Sequence, residues 1–162
     1  FESFNRLSLQ HSLPFIIPLH PRTSKLLEKN LVPGLYAKVM GNTLLKIIPP
    51  VSFLEMIALE KNSRLIVTDS GGVQKEAFFF EKPCIILRAQ TEWIELVECG
   101  AAKLADTNIE TIIAAFNSYL NATSMSFPPL FGDGKAAEFI AGEMLSVFSS
   151  KDEVSTINPS TK

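Results

Sequence analysis

Leu65-Ile66-Val67-Thr68-Asp69-Ser70-Gly71-Gly72-Val73-Gln74-Lys75-Glu76 runs from a short apolar, β-rich segment through two glycines into a segment of helical period. An apolar run bounded by turn residues reads as a buried strand, and the polar residues and glycines after it read as a tight turn that opens a helix. On either side the same unit recurs. Strands are predicted at Phe15 to Leu19, Leu44 to Ile48, Arg64 to Thr68, Cys84 to Leu87 and Ala102 to Ala105. Short apolar runs alternating with longer helical stretches predict parallel strands joined by crossover helices, an α/β fold. Their continuous apolarity predicts burial on both faces.

Helices are predicted at Pro21 to Lys29, Ser52 to Glu60, Gly72 to Phe80, Glu92 to Glu98, Ile109 to Leu120 and Lys135 to Phe148. Pro21 suits a first helical turn, Ser52 and Glu55 have capping-box spacing, Asp133 can cap the last helix, and Gly100 supplies a left-handed stop. Phe78-Phe79-Phe80 reads as core. Asn121 to Pro129 reads as a loop, and the polar stretch 149–162 as a tail beyond a domain over 1–148.

The 162 residues suffice for one compact domain with a core. Apolar residues make up 46% and charged residues 20%, which excludes a wholly disordered or collagen-like chain. Fifteen basic against seventeen acidic residues leave a net charge of −2, so nothing in the overall field favours nucleic acid or an anionic membrane. The apolar runs fall short of the roughly 20 residues that span a bilayer, and a cytoplasmic protein is expected. Cys84 and Cys99 lack the neighbours of a metal cluster and read as reduced packing residues. The chain opens on Phe1-Glu2-Ser3-Phe4 without a signal-like stretch, and reads as a piece of something longer. No metal and no cofactor is expected.

In an open parallel sheet, ligands bind outside the carboxyl ends of the strands, so the polar residues that follow each strand carry the chemistry. After the third strand, Ser70 offers a hydroxyl and Gly71-Gly72 let a phosphate approach backbone N–H groups at a helix amino terminus. Glu76, one turn further on, suits ribose hydroxyls. Taken alone, this segment is equally a tight βα turn with a solvated glutamate. After the first strand, His20 and Arg22 can donate to a pyrophosphate, or they mark an ordinary helix start. Arg88 follows the fourth strand, with Thr91 and Glu92 beside it; its plain alternative is a surface ion pair with Glu92 or Glu95. Phe53, after the second strand, can stack on a base or belong to the core. Four strand ends that each suit one part of a nucleotide diphosphate weigh more than any single turn.

His20-Pro21-Arg22-Thr23, Ile48-Pro49-Pro50-Val51-Ser52-Phe53-Leu54, Thr68-Asp69-Ser70-Gly71-Gly72-Val73-Gln74-Lys75-Glu76-Ala77, Lys82-Pro83-Cys84, Leu87-Arg88, Thr91-Glu92-Trp93 and Gly132-Asp133-Gly134-Lys135-Ala136-Ala137 stand in this order. Together they resemble the motifs of non-hydrolysing UDP-N-acetylglucosamine 2-epimerases from about Phe15 to Leu145. The resemblance implies a Rossmann-like domain, the second of two that face each other across a UDP-sugar in a glycosyltransferase-B-type fold. It implies His20 and Arg88 beside the diphosphate as electrostatic catalysts, Ser70, Gly71 and Gly72 binding it, Glu76 on the ribose and Phe53 near the uracil. Arg22, Thr91 and Glu92 join them as candidate binding residues.

The reaction so implied inverts C2 of the sugar by eliminating and re-adding UDP, in polysaccharide biosynthesis. The carboxylates that move the C2 proton belong to the first domain, so the chain alone is expected to be inactive. Its expected partners are a UDP-sugar, that missing amino-terminal domain and, as the full-length enzyme, a second copy in a homodimer. Many members carry Thr-Glu-Arg-Pro-Glu where this chain has Thr91-Glu92-Trp93-Ile94-Glu95. That departure points to a branch acting on a modified UDP-sugar such as a diacetamido uronate. The nucleotide-binding domain of a UDP-sugar glycosyltransferase, or a non-catalytic domain that kept the fold, are the other readings.

Overall fold

A computed structural model of the chain describes residues 1–152, with side chains described through residue 148. The described residues fall into two compact units, Phe1–Phe127 and the segment from Pro128 onward. In the first unit α1 (Glu2–His11) precedes β1 (Phe15–Pro18), α2 (Pro21–Asn30), α3 (Pro33–Gly41), β2 (Leu45–Ile48), α4 (Phe53–Asn62), β3 (Ile66–Thr68), α5 (Gly71–Phe79), β4 (Cys84–Ile86), α6 (Ile94–Glu98), β5 (Ala102–Leu104) and α7 (Ile109–Leu120).

Every strand pairing is parallel. β1 pairs with β2 in the register Phe15↔Leu45, and β4 lies between β3 and β5, with Ile66↔Cys84 and Cys84↔Ala102 opposite each other. The middle strand is buried along its whole length, as two covered faces require. All five predicted strands are present, each trimmed by a residue or two at an end.

The core is built from both ends of the chain. Ile112, Ala115, Phe116 and Tyr119 recur at helical spacing along α7 and bury one stripe against Leu7 of α1, Ile85 of β4 and Ala105. Phe15 of β1 is sandwiched between Phe4 and Phe116, with ring centroids 5.5 Å from each. His11 and Asn117 hydrogen-bond at 2.8 Å across the same α1–α7 seam. A buried polar knot fastens α1 to the turn before β2: the Asn42 amide donates to Asn5 Oδ1 at 2.9 Å and Ser8 Oγ at 2.8 Å, and Asn42 Oδ1 accepts from Leu44 N–H at 2.9 Å.

Neither α1 nor α3 was expected from the sequence. α1 has no side-chain cap and only Phe4 and Leu7 as inward apolar residues, and α3 opens on Pro33-Gly34, a dipeptide that reads as a turn. Phe78-Phe79-Phe80 needs correction as well. Phe78 is buried, but Phe79 is 58% exposed, since consecutive residues on a helix point about 100° apart.

Capping follows expectation at α2, where Pro21 stands in the first turn, and at α4, where Ser52 and Glu55 close a capping box. Ser52 N–H donates to Glu55 Oε2 at 2.7 Å, and this bond holds the Glu55 carboxyl below its ordinary range. Gly100, at φ +81°, turns the chain out of α6. Replacing Ser52 with Ala should cost about 1 kcal/mol by loss of the cap. Urea unfolding measures this, and an unchanged midpoint would show that the box adds nothing.

In the second unit α8 (Ala136–Asp152) runs past the predicted end at Phe148, and the rest of the expected tail lies outside the described residues. Asp133 Oδ1 accepts from Lys135 N–H at 3.1 Å. It therefore closes a turn one step ahead of the helix and does not cap it.

Candidate nucleotide site

All but one of the residues singled out above stand in the segments that follow the carboxyl ends of parallel strands; Glu76 lies inside α5. At β1, His20 is the amino cap of α2, and its Nδ1 accepts from Arg22 N–H at 3.2 Å. With Nδ1 committed as acceptor, a neutral ring carries its proton on Nε2, a donor aimed away from the helix. The imidazole and the Arg22 side chain are exposed. Beyond β2, Phe53 opens α4 at 69% exposure, which removes the core alternative and leaves an aromatic face to solvent.

Beyond β3 the turn is organised differently. Ser70 is the amino cap of α5, yet its hydroxyl caps nothing; at α4 and α7 the side chains of Ser52 and Asn108 do cap. The first-turn N–H groups at Gly71, Gly72 and Val73 therefore have no intrahelical acceptor, and they point outward at the positive end of the helix dipole. Ser70 N–H donates to Thr68 Oγ1 at 3.0 Å, which fixes the entry into the turn. The helix starts at Gly71, one residue before its predicted start.

Beyond β4, the segment from Arg88 to Trp93 folds over this same turn. Trp93 Nε1 donates to Gly71 O at 2.9 Å, Thr91 Oγ1 donates to Gln74 Oε1 at 2.5 Å, and Trp93 N–H donates to Thr91 Oγ1 at 3.1 Å. Because Thr91 spends its side chain on this turn, α6 begins at Ile94 and not at Glu92. Arg88 holds Glu92 with both guanidinium arms, at 3.0 and 2.9 Å. Glu92 and, more distantly, Asp69 hold the guanidinium more firmly charged, and the same bond keeps the Glu92 carboxyl below its usual range.

The structure thus ties Ser70, Gly71 and Thr91 together through Gln74 and Trp93, with Gly72 in the same turn and the Arg88–Glu92 pair beside it. His20, Arg22 and Phe53 stand at the ends of the β1–β2 pair, and no hydrogen bond or ion pair among the described residues ties them to that cluster. Glu76 is half-buried on α5. Across from it lies Glu60 of α4, only 4% exposed, with neither carboxylate oxygen hydrogen-bonded among the described residues. Burial first, and the charge of Glu76 second, push the Glu60 carboxyl up to about 7. Burial likewise pushes the Cys84 thiol up to about 12, which makes it inert.

Sequence reasoning passed over Gln74 and Trp93. Gln74 lies inside a helix and is fully buried, so its pattern is that of core. Trp93 stands out in the sequence only as a departure from the family pattern, and nothing there ties it to a turn 22 residues away.

The sequence model of the UDP-N-acetylglucosamine 2-epimerase family matches residues 1–145. The chain belongs to the UDP-N-acetylglucosamine 2-epimerase family. Its relatives in the family include the UDP-2,3-diacetamido-2,3-dideoxy-D-glucuronate 2-epimerase of Pseudomonas aeruginosa, 43% identical over 140 residues, which are 86% of this chain and 37% of that protein. A UDP-N-acetylglucosamine 2-epimerase of Methanocaldococcus jannaschii is 46% identical over 125 residues, 77% of this chain and 33% of the relative. The structure of the 2-epimerase from M. jannaschii superposes with a TM-score of 0.78 at 40% identity, covering 90% of this chain and 39% of that one. A second structure of it, in complex with UDP-GlcNAc and UDP, superposes at 0.74 with the same coverage. The chain therefore spans about two fifths of these family members. Its Rossmann-like architecture, with parallel strands and helices on both faces, is the one the family resemblance implied. Among the described residues no helix is long and apolar enough to cross a membrane.

Proposed function

We propose that residues 1–148 form the UDP-sugar-binding half of a 2-epimerase that inverts C2 by eliminating UDP and adding it back. The observation that carries this reading is the uncapped amino terminus of α5, whose glycine turn is braced from the Arg88–Trp93 segment. A diphosphate can take the open N–H groups at Gly71 and Gly72 and the Ser70 hydroxyl, with Nε2–H of His20 and the forked guanidinium of Arg88 completing the donors. Glu76 suits the ribose hydroxyls and the exposed ring of Phe53 the uracil, with Arg22, Thr91 and Glu92 at the margin.

In the elimination step, negative charge grows on the departing UDP. Donors already in position stabilise that charge more than they stabilise the bound substrate, and this difference lowers the barrier. The groups that take and return the C2 proton belong to a preceding domain in this reading, so the chain alone turns nothing over. Family membership supports a cytoplasmic enzyme that works in polysaccharide biosynthesis as a homodimer.

Titrating the 15N-labelled chain with UDP tests the binding role. Amide shifts are expected at Ser70 to Glu76 by millimolar ligand, and an unperturbed segment would sink the reading. Two substrates are in view. UDP-N-acetylglucosamine is the first reading, supported by 46% identity to the M. jannaschii enzyme; Trp93 in place of the more common arginine, with 43% identity to the P. aeruginosa enzyme, makes a diacetamido uronate the alternative. Presenting each to the full-length protein without an acceptor decides between them. It also excludes a glycosyltransferase, which needs an acceptor.

A further inference from the structure

We infer that Trp93 is a positioning residue that aims the Gly71–Gly72 peptide at a bound diphosphate; this rests on the nucleotide-binding reading above. Gly71 C=O and Gly72 N–H belong to one planar peptide unit and point in opposite directions. A bond that fixes the carbonyl therefore fixes where the amide points. The first turn of α5 holds that plane through one helical bond only, and two successive glycines add no Cβ to stiffen it.

The indole adds a second restraint on the same carbonyl. Its Nε1 reaches Gly71 O at 2.9 Å across 22 residues of chain, and its position is itself determined on three sides. Trp93 N–H is held by Thr91 Oγ1 at 3.1 Å. Thr91 is held in turn by the fully buried Gln74 at 2.5 Å, one helical turn beyond Gly71. The Lys75 ammonium lies 4.4 Å over the indole ring. The carbonyl has two lone pairs, so it takes the indole N–H without giving up its place in the helix.

The role predicts a split between ligands. In the 162-residue chain, Trp93→Phe keeps an aromatic face for Lys75 but removes the donor. It should weaken UDP about three- to tenfold, the range expected for one neutral hydrogen bond, while uridine, which lacks the phosphates, binds as it does to the wild type.

Should the Phe variant fail to fold, β-(3-benzothienyl)alanine at the single tryptophan position keeps the shape of indole without an N–H, and the same split is expected. Unchanged UDP affinity in the variant, or equal weakening of UDP and uridine, overturns the inference and leaves the binding reading standing. A wild-type chain that binds no UDP overturns both.

Discussion

Replacing Arg88 with Met in the full-length enzyme is expected to lower kcat/KM by a factor on the order of 10² to 10³, the usual cost of removing one preorganised donor from a site of developing charge. The thermal midpoint should hardly move. In the ligand-free chain the Arg88 guanidinium is bound to Glu92, with side-chain exposures of 35% and 59%, and exposed ion pairs of this kind add little to stability. The same pairing shows why the arginine is available to a ligand. Its partner is a solvated carboxylate four residues away, and a doubly charged diphosphate can replace that carboxylate with a matching fork of oxygens. Lysine should restore charge but not the fork, so Arg88→Lys is expected to recover only part of the loss. Wild-type kinetics from the Met variant would remove Arg88 from the catalytic machinery and leave it as a surface ion pair.

The second large effect concerns stability and pH. The Glu60 carboxyl moves from an ordinary value of 4.5 to about 7 in the folded chain, at about 1.4 kcal/mol for each tenfold change in proton affinity. Between these values the folded state keeps a proton that the unfolded state has released. Stability is therefore fully present below pH 4.5 and declines as pH rises through 7, by roughly 3 kcal/mol in all. Urea unfolding at pH 5 and pH 8 measures this, with Glu60→Gln as the comparison in which the slope flattens. Glu60→Leu should exceed the wild type at pH 8, because it removes a buried charge that no described group pairs. A wild-type pH dependence identical to that of the Gln variant would mean that water or a rearranged neighbour already satisfies the carboxylate.

Much of this architecture was legible in the residues. The five strands were visible as short apolar runs, but burial on both faces holds only for Cys84-Ile85-Ile86; in β1 and β2, at the edge, Ile16 and Lys46 are exposed. α4 and α7 were visible through Ser52 and Ile109–Leu120, where a cap or a stripe announces itself locally. α1 and α3 were not, because their stability comes from tertiary partners: Phe4 stacks on Phe15, Leu7 packs with α7 residues more than a hundred positions away, and Asn42 closes the polar knot with α1.

The glycine turn could be read as an anion site, but its brace could not. Residue types near Gly71 say nothing of an indole 22 positions on. The bland alternatives also fared unevenly. Phe53 proved exposed, His20 does cap its helix, and Arg88 does form the surface pair with Glu92. For His20 the plain role and the proposed one coexist, since capping uses only Nδ1; for Arg88 they exchange, since both arms hold Glu92 until a ligand replaces it.

Trp93 is the only tryptophan in the chain, and it sits half-buried against the glycine turn and not in the α1–α7 core. Light absorbed at the red edge of the protein spectrum is therefore emitted from a single place. An indole whose N–H is bound to a carbonyl and whose face is covered by an ammonium has an emission sensitive to either contact. The chain thus carries a built-in optical probe of its nucleotide turn, and its emission can follow that turn's opening and filling in real time while the rest of the fold stays dark.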